Sequence, residues 1–142
     1  MVSDPDSVGY EKSLNMLREA GLRPTWQRMQ LIEMLYSAGH RHVTVDLLYR
    51  EALDKGAKIS LSTVYNTMHR LCSVNLLREI SLGNGKSYFD TDTDDHQHYF
   101  LEESGELIDI PCSRIFPNLP TPPQGTAIKQ VDVVVRLHAT GK

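Results

Sequence analysis

Cysteine is almost missing from this chain, which has only Cys72 and Cys112 among its 142 residues. Two thiols exclude a disulfide scaffold and cannot build a cysteine-rich zinc site. Long apolar runs are missing as well. The strongest candidate, Val131 to Leu137, is broken by Asp132 and Arg136 and falls far short of a membrane span. No charged-then-apolar leader with a cleavage site opens the chain. These absences predict a soluble, cytoplasmic protein without a membrane partner. The length is enough for a real core, and it suits two small domains, or one plus a dimerising piece, better than a single large one.

A strong excess of either charge is also lacking. The net charge of −3 argues on its face against a nucleic-acid binder. It conceals an asymmetry, however. Residues 10–89 carry eleven Lys or Arg against seven Asp or Glu, whereas residues 90–142 carry four against nine. A basic front and an acidic back suit a DNA-facing domain followed by a ligand-binding or pairing domain.

Hydrophobic spacing predicts four helices in the front half. The opening residues 1–9 are polar and expected to be loose. Tyr10 to Ala20 reads as the first helix, with Leu14 and Leu17 on one face and Gly21 as its stop. Thr25 caps a second helix running to about Ala38, with Leu31, Ile32 and Leu35 as its buried stripe. Thr44 caps a third, Val45 to Lys55, whose core side is Leu47, Leu48 and Leu53. Ser60 caps a fourth, with Leu61, Val64, Met68 and Leu71 on one face. That stripe leaves Ser62, Thr63, Tyr65, Asn66, His69 and Arg70 on a polar and aromatic outer face.

A hairpin follows, Leu77 to Leu82 and Lys86 to Asp90, turning at Gly83, Asn84 and Gly85. Helices followed by a two-stranded wing form a winged helix-turn-helix, whose fourth helix here is the natural reader of the major groove. The expected DNA contacts are Ser62, Thr63, Tyr65, Asn66 and Arg70, with Lys86 from the wing. An ordinary solvated helix face is the bland alternative, and the wing and the basic balance weigh against it.

The hinge, Asp90 to His98, joins these unlike halves. His96 and His98 are spaced i, i+2 at the start of a strand. They share one face, roughly 6–7 Å apart along the backbone, and can converge on one ion or one cofactor. A solvated acidic linker that happens to hold histidines is the other reading of this stretch alone. Beyond it, His98 to Glu102 and Glu106 to Ile110 read as short strands joined at Ser104 and Gly105. Residues 111–125 hold five prolines and read as a connector. Thr126 to Ala139 offers a long Val-rich strand, suited to pairing two subunits. The fold class is α+β: a loose stretch 1–9, a winged-helix DNA-binding domain 10–90, a hinge 91–97, and a small α/β dimerisation domain with sensing function, 98–142.

These residues resemble the ferric uptake regulator superfamily. The segment Ser60 to Leu71 is similar to that family's recognition helix, and Gly21 to Arg28 to the usual lead into its second helix. The resemblance covers residues 12 to 138. Within the superfamily it is closest to the iron response regulator (Irr) group, through Tyr88-Phe89-Asp90, the His-rich hinge, Glu106 to Ile110 and Val134 to Leu137. The resemblance implies a regulatory metal site at His42, Asp90, His96, His98 and Asp109. Asp at both acidic positions is also similar to the peroxide-sensing branch. Most members hold a structural zinc with two C-x-x-C pairs. Here Leu101 and Ser104 replace the first pair and the second is absent, so structural zinc is not expected, as in Irr.

The nitrogen and oxygen donors, without thiolate, suit Mn(II) or Fe(II), although zinc would also be accepted. If haem binds, the resemblance makes His96 and His98 its axial ligands. It implies a bacterial cytoplasmic regulator, a homodimer or higher oligomer on palindromic double-stranded DNA. Such a regulator binds operators of iron and haem metabolism genes when iron is scarce and lets go when haem arrives. A repressor co-repressed by Mn(II) or Fe(II), or a peroxide sensor, is the alternative. More remote are a small metallohydrolase using a metal-bound water and a haem carrier. Cys72 reads as a packed small hydrophobe and Trp26 as a packing residue. Cys112 is ambiguous between an inert and a reactive thiol. His138 is left unassigned.

Overall fold

The computed structural model of the protein describes residues 4–37, 39–83, 85–111 and 118–141. Asn84 of the expected turn and Cys112 lie outside the described residues. The chain divides into two compact units, Met1–Thr93 and Asp94–Lys142.

The first unit opens with α1 (Asp4–Glu19), followed by α2 (Trp26–Tyr36), the two-residue strand β1 (His42–Val43), α3 (Val45–Asp54) and α4 (Leu61–Ser73). It closes with the wing, β2 (Arg78–Ser81) and β3 (Ser87–Asp90). The opening stretch expected to be loose is helical from Asp4 onward. Pro5 falls in the first turn, where a missing N–H leaves no hydrogen bond unmade. Further along, the Ser13 hydroxyl donates to the Gly9 carbonyl at 2.8 Å, and the helix runs through that glycine.

Each expected N-cap is in place. The side-chain oxygens of Thr25, Thr44 and Ser60 accept from the backbone N–H of Arg28, Leu47 and Thr63 respectively. Each satisfies an otherwise orphaned donor, a contribution of about 1 kcal/mol. The caps fix where the helices begin, and so fix which faces turn inward.

Leu17, Leu31, Ile32, Leu35, Leu48, Val64, Met68, Leu71 and Phe89 form the core of this unit. Two assignments are corrected. On α3, Leu47 and Leu53 are exposed, and Leu48 with Ala52 takes the buried face. Residues four apart lie on one side of a helix, and Leu47 and Leu53 fall off that side. Leu61, in the first turn of α4, is exposed as well.

The wing sheet has the order β1-β3-β2, antiparallel throughout. The hairpin turn uses positive φ at Gly83 (77°) and Gly85 (80°), as its glycines predict. β1 was not foreseen, because two residues carry no readable alternation. It sets His42 opposite Asp90 and Val43 opposite Phe89.

The second unit is built on β4 (His98–Leu101), β5 (Glu106–Asp109) and β6 (Val134–Leu137), in the order β5-β4-β6. β4 pairs antiparallel with β5 and parallel with β6. The long strand expected over 126–139 shrinks to the four residues of β6, which pair within the chain. β propensity is realised only where a partner strand is available, and β4 itself has four residues. Among the described residues no helix is long and apolar enough to cross a membrane.

Leu35, fully buried, and Leu53, 46% exposed, give a matched test of this core. Leu35→Ala is expected to lose about 2–5 kcal/mol in urea denaturation. Leu53→Ala should stay within about 0.5 kcal/mol of the wild type.

Candidate metal centre and nucleic-acid interface

The outer face of α4 is exposed at Ser62, Tyr65, Asn66 and Arg70, and Lys86 is exposed on the wing. Thr63 is half-buried and engaged at the helix start, where the Ser60 hydroxyl donates to its Oγ1 at 2.9 Å. Tyr65, at 53% exposure, is not loose. Its ring lies 4.3 Å from that of His69, which meets the buried Phe89 edge-on at 5.5 Å. His69 Nδ1 also faces the Glu79 carboxylate at 3.7 Å. The exposed aromatic of the helix is thereby tied to the wing. Arg50 joins Tyr65, His69, Lys86 and Tyr88 in lining a groove of about 740 Å³. Sequence reasoning missed Arg50, because nothing in the spacing of α3 ties it to the wing.

In the same unit, Asp90 is fully buried and its Oδ2 stands 3.1 Å from His42 Nε2. Its Oδ1 accepts from the Asp92 N–H at 2.9 Å. Arg41, beside His42, is held on several sides. It donates to both oxygens of Glu51, at 3.0 and 2.6 Å, and to the Met34 carbonyl at 3.1 Å. Its backbone exchanges hydrogen bonds with Thr91, which anchors β1 and the imidazole that it carries.

In the second unit, the β4–β5 register sets His98 opposite Asp109. Asp109 Oδ1 lies 3.2 Å from His96 Nε2 and 3.3 Å from His98 Nε2. One ligand atom from each of the three lies within 4.8 Å of the others. His96 Nδ1 is 2.6 Å from the Asp94 carbonyl, which can only accept, so this contact takes an Nδ1–H and fixes the ring with Nε2 toward Asp109. The structure thus brings His42 together with Asp90, and His96 and His98 together with Asp109.

Imidazole and carboxylate donors without thiolate fit a hard or borderline divalent ion such as Mn(II) or Fe(II). Haem is a different matter. Two axial ligands must approach iron from opposite faces of the porphyrin, whereas His96 and His98 aim at one carboxylate oxygen with ring centres 4.5 Å apart. As placed, the pair fits a small ion and does not fit both axial positions of one haem.

The remaining expectations sort themselves by burial. Trp26, expected to pack, is 57% exposed, because it starts α2 at the edge of the unit. Cys72 packs against the core as expected. Burial, with the nearby Glu79 charge, pushes its thiol up to about 12 from an ordinary 9.0. It is therefore held as the thiol and is unsuited to metal binding. Burial, then the charges of Asp90 and Cys72, likewise raises Tyr36 to about 12, and its hydroxyl donates to the Leu76 carbonyl. His138 is exposed.

The chain matches the ferric uptake regulator family over residues 19–136. It belongs to that family. Members are transcriptional regulators rather than enzymes, and they bind DNA and act as dimers. The chain is accordingly a DNA-binding regulator with an N-terminal helix-turn-helix domain followed by a small α/β domain, and the hydrolase reading falls. A peroxide-responsive repressor PerR of Staphylococcus epidermidis is 32% identical over 112 residues, 78% of this chain and 74% of that protein. One from Staphylococcus aureus is 33% identical over 100 residues, 70% and 67% of the two chains. In fold, the ferric uptake regulator of Pseudomonas aeruginosa, solved with manganese, aligns with a TM-score of 0.70 at 24% identity, over 89% of this chain and 97% of that one. The Vibrio cholerae regulator aligns at 0.69 and 20% identity, over 88% and 98%.

The raised Cys72 and Tyr36 values set a pH dependence. Above the ordinary thiol value of 9.0 the unfolded chain loses protons that the folded chain keeps. Stability is therefore expected to be full below about pH 9 and to fall as pH rises toward 12. Denaturant midpoints at pH 8 and pH 10.5 should differ less for Cys72→Ala than for the wild type. An equal drop in both would remove Cys72 as a cause.

Proposed function

We propose that this regulator grips a palindromic operator as a homodimer, and that one Mn(II) or Fe(II) ion held by His42, Asp90, His96, His98 and Asp109 sets its affinity. The convergence of His96, His98 and Asp109 carries the reading, since three metal-capable atoms within 4.8 Å form a ligand set in themselves. His42 and Asp90 supply a second set of the same chemistry from the DNA-binding unit. Bound, the ion would supply the positive charge that these imidazole and carboxylate donors coordinate. The unit ending at Thr93 is the DNA-binding domain and the unit beginning at Asp94 the dimerising and sensing domain, in a bacterial cytoplasm. Ser62, Thr63, Tyr65, Asn66 and Arg70, with Lys86, contact the duplex. The half-sites lie about one helical turn, 34–36 Å, apart. Metal and operator are then coupled reciprocally, each raising affinity for the other.

The physiological input within this reading is iron status. Release by haem is what the resemblance to the Irr group implies, and Leu101 and Ser104 in place of the first C-x-x-C pair support that resemblance. Peroxide sensing is the second reading, favoured by Asp90 and Asp109 at the acidic positions and by relatives named as peroxide-responsive repressors.

Fluorescence anisotropy on an iron-box-like palindrome at fixed salt separates these outcomes, comparing apoprotein with Mn(II)-loaded, haem-loaded, and Fe(II)-loaded then peroxide-treated protein. Tyr65→Ala should abolish sequence-specific binding under every condition. One ion per chain is expected, with the metal effect lost in both His42→Ala and His96→Ala. Metal uptake that ignores His42 would refute the shared ion. Loss of DNA binding on adding haem selects the Irr-like regulator, and loss only after Fe(II) and peroxide selects the peroxide sensor.

A further inference from the structure

The residue between the two histidines is a buried glutamine. Alternation along an extended chain turns the Gln97 side chain away from the face that His96 and His98 share. On that other side its Oε1 accepts from the Val133 N–H at 2.5 Å, and its Nε2 donates to the Val131 carbonyl at 3.4 Å. The backbone continues the pattern. Gln97 accepts from the Ile110 N–H at 2.8 Å, just past β5, and the His98 N–H donates to the Val133 carbonyl at 3.3 Å, just before β6. One residue thus binds the end of β5 and the approach to β6 while its two neighbours present their imidazoles to Asp109.

We infer that Gln97 is a positioning residue for the ion ligands, coupling their geometry to the chain that leads into β6. The inference rests on the metal reading above and adds to it a residue that touches no ion. A carboxamide is the side chain that does this, because it accepts from one backbone group and donates to another two residues along. An apolar side chain of similar length would fill the space and leave the Val133 N–H and the Val131 carbonyl without these partners. The segment 131–133 would then lose two of the three hydrogen bonds that tie it to Gln97 and His98. As the backbone between them relaxes, the two imidazoles would shift relative to Asp109.

Co(II) titration followed by visible absorption, on wild-type protein and Gln97→Met, tests this. Outer partners of metal ligands typically set affinity by about tenfold to a hundredfold, and a weakening within that range, with a broadened absorption band, is expected for Gln97→Met. Wild-type affinity and an unchanged spectrum in the variant would overturn the positioning role while leaving the metal site standing. No Co(II) uptake by the wild type would overturn the metal reading and this inference together. Amide hydrogen exchange of the wild type gives a second readout that does not depend on the variant folding. Co(II) loading should slow exchange at the Val133 N–H by about tenfold, and an unchanged rate there would also sink the coupling.

Discussion

A carboxylate removed from water is costly unless something answers its charge. Asp90, fully buried, meets that demand with the His42 imidazole on one oxygen and the Asp92 N–H on the other. To bring His42 there the chain needs β1, and to hold β1 it needs Arg41, whose guanidinium reaches α3 through Glu51 and α2 through the Met34 carbonyl. One buried charge therefore organises the third strand of the wing, the run from α2 to α3, and the entire histidine side of the first ligand set. Its influence extends to Tyr36, whose hydroxyl is pushed toward the neutral form partly by that carboxylate.

The second unit solves a similar problem in a different way. Asp109 is not buried, so its two imidazole neighbours are not needed to make it tolerable. They are placed by the ladder. Cross-strand register fixes His98 opposite Asp109, the i, i+2 spacing brings His96 to the same side, and the Asp94 carbonyl sets its ring. A ligand set so assembled turns imidazole nitrogens and a carboxylate oxygen toward one point, the donor types that a hard or borderline cation takes.

Much of this fold was legible in the sequence because its signals are local. The caps Thr25, Thr44 and Ser60 are single residues at fixed offsets, and the glycines of the wing turn announce their own conformation. The buried stripe of α2 follows the helical period closely. What resisted reading was set by partners distant in the chain. β1 is a strand only because β3 lies beside it, and β6 ends where β4 ends. Leu47 and Leu53 look as apolar as Leu48 until the neighbours of α3 choose one face. The pairing of His42 with Asp90 spans 48 residues and leaves no trace in local spacing; it was anticipated only through resemblance to a family.

The parallel pairing of β6 with β4 has a kinetic side. β4 and β5 are joined by the turn at residues 102–105, so His98 meets Asp109 through a short hairpin. β6 pairs with the same strand only after a connection running from residue 110 to 133 has closed. Loop closure is paid for before such a distant ladder returns anything. The histidine–carboxylate set therefore closes the shorter loop, and the segment that Gln97 holds closes the longer and entropically costlier one.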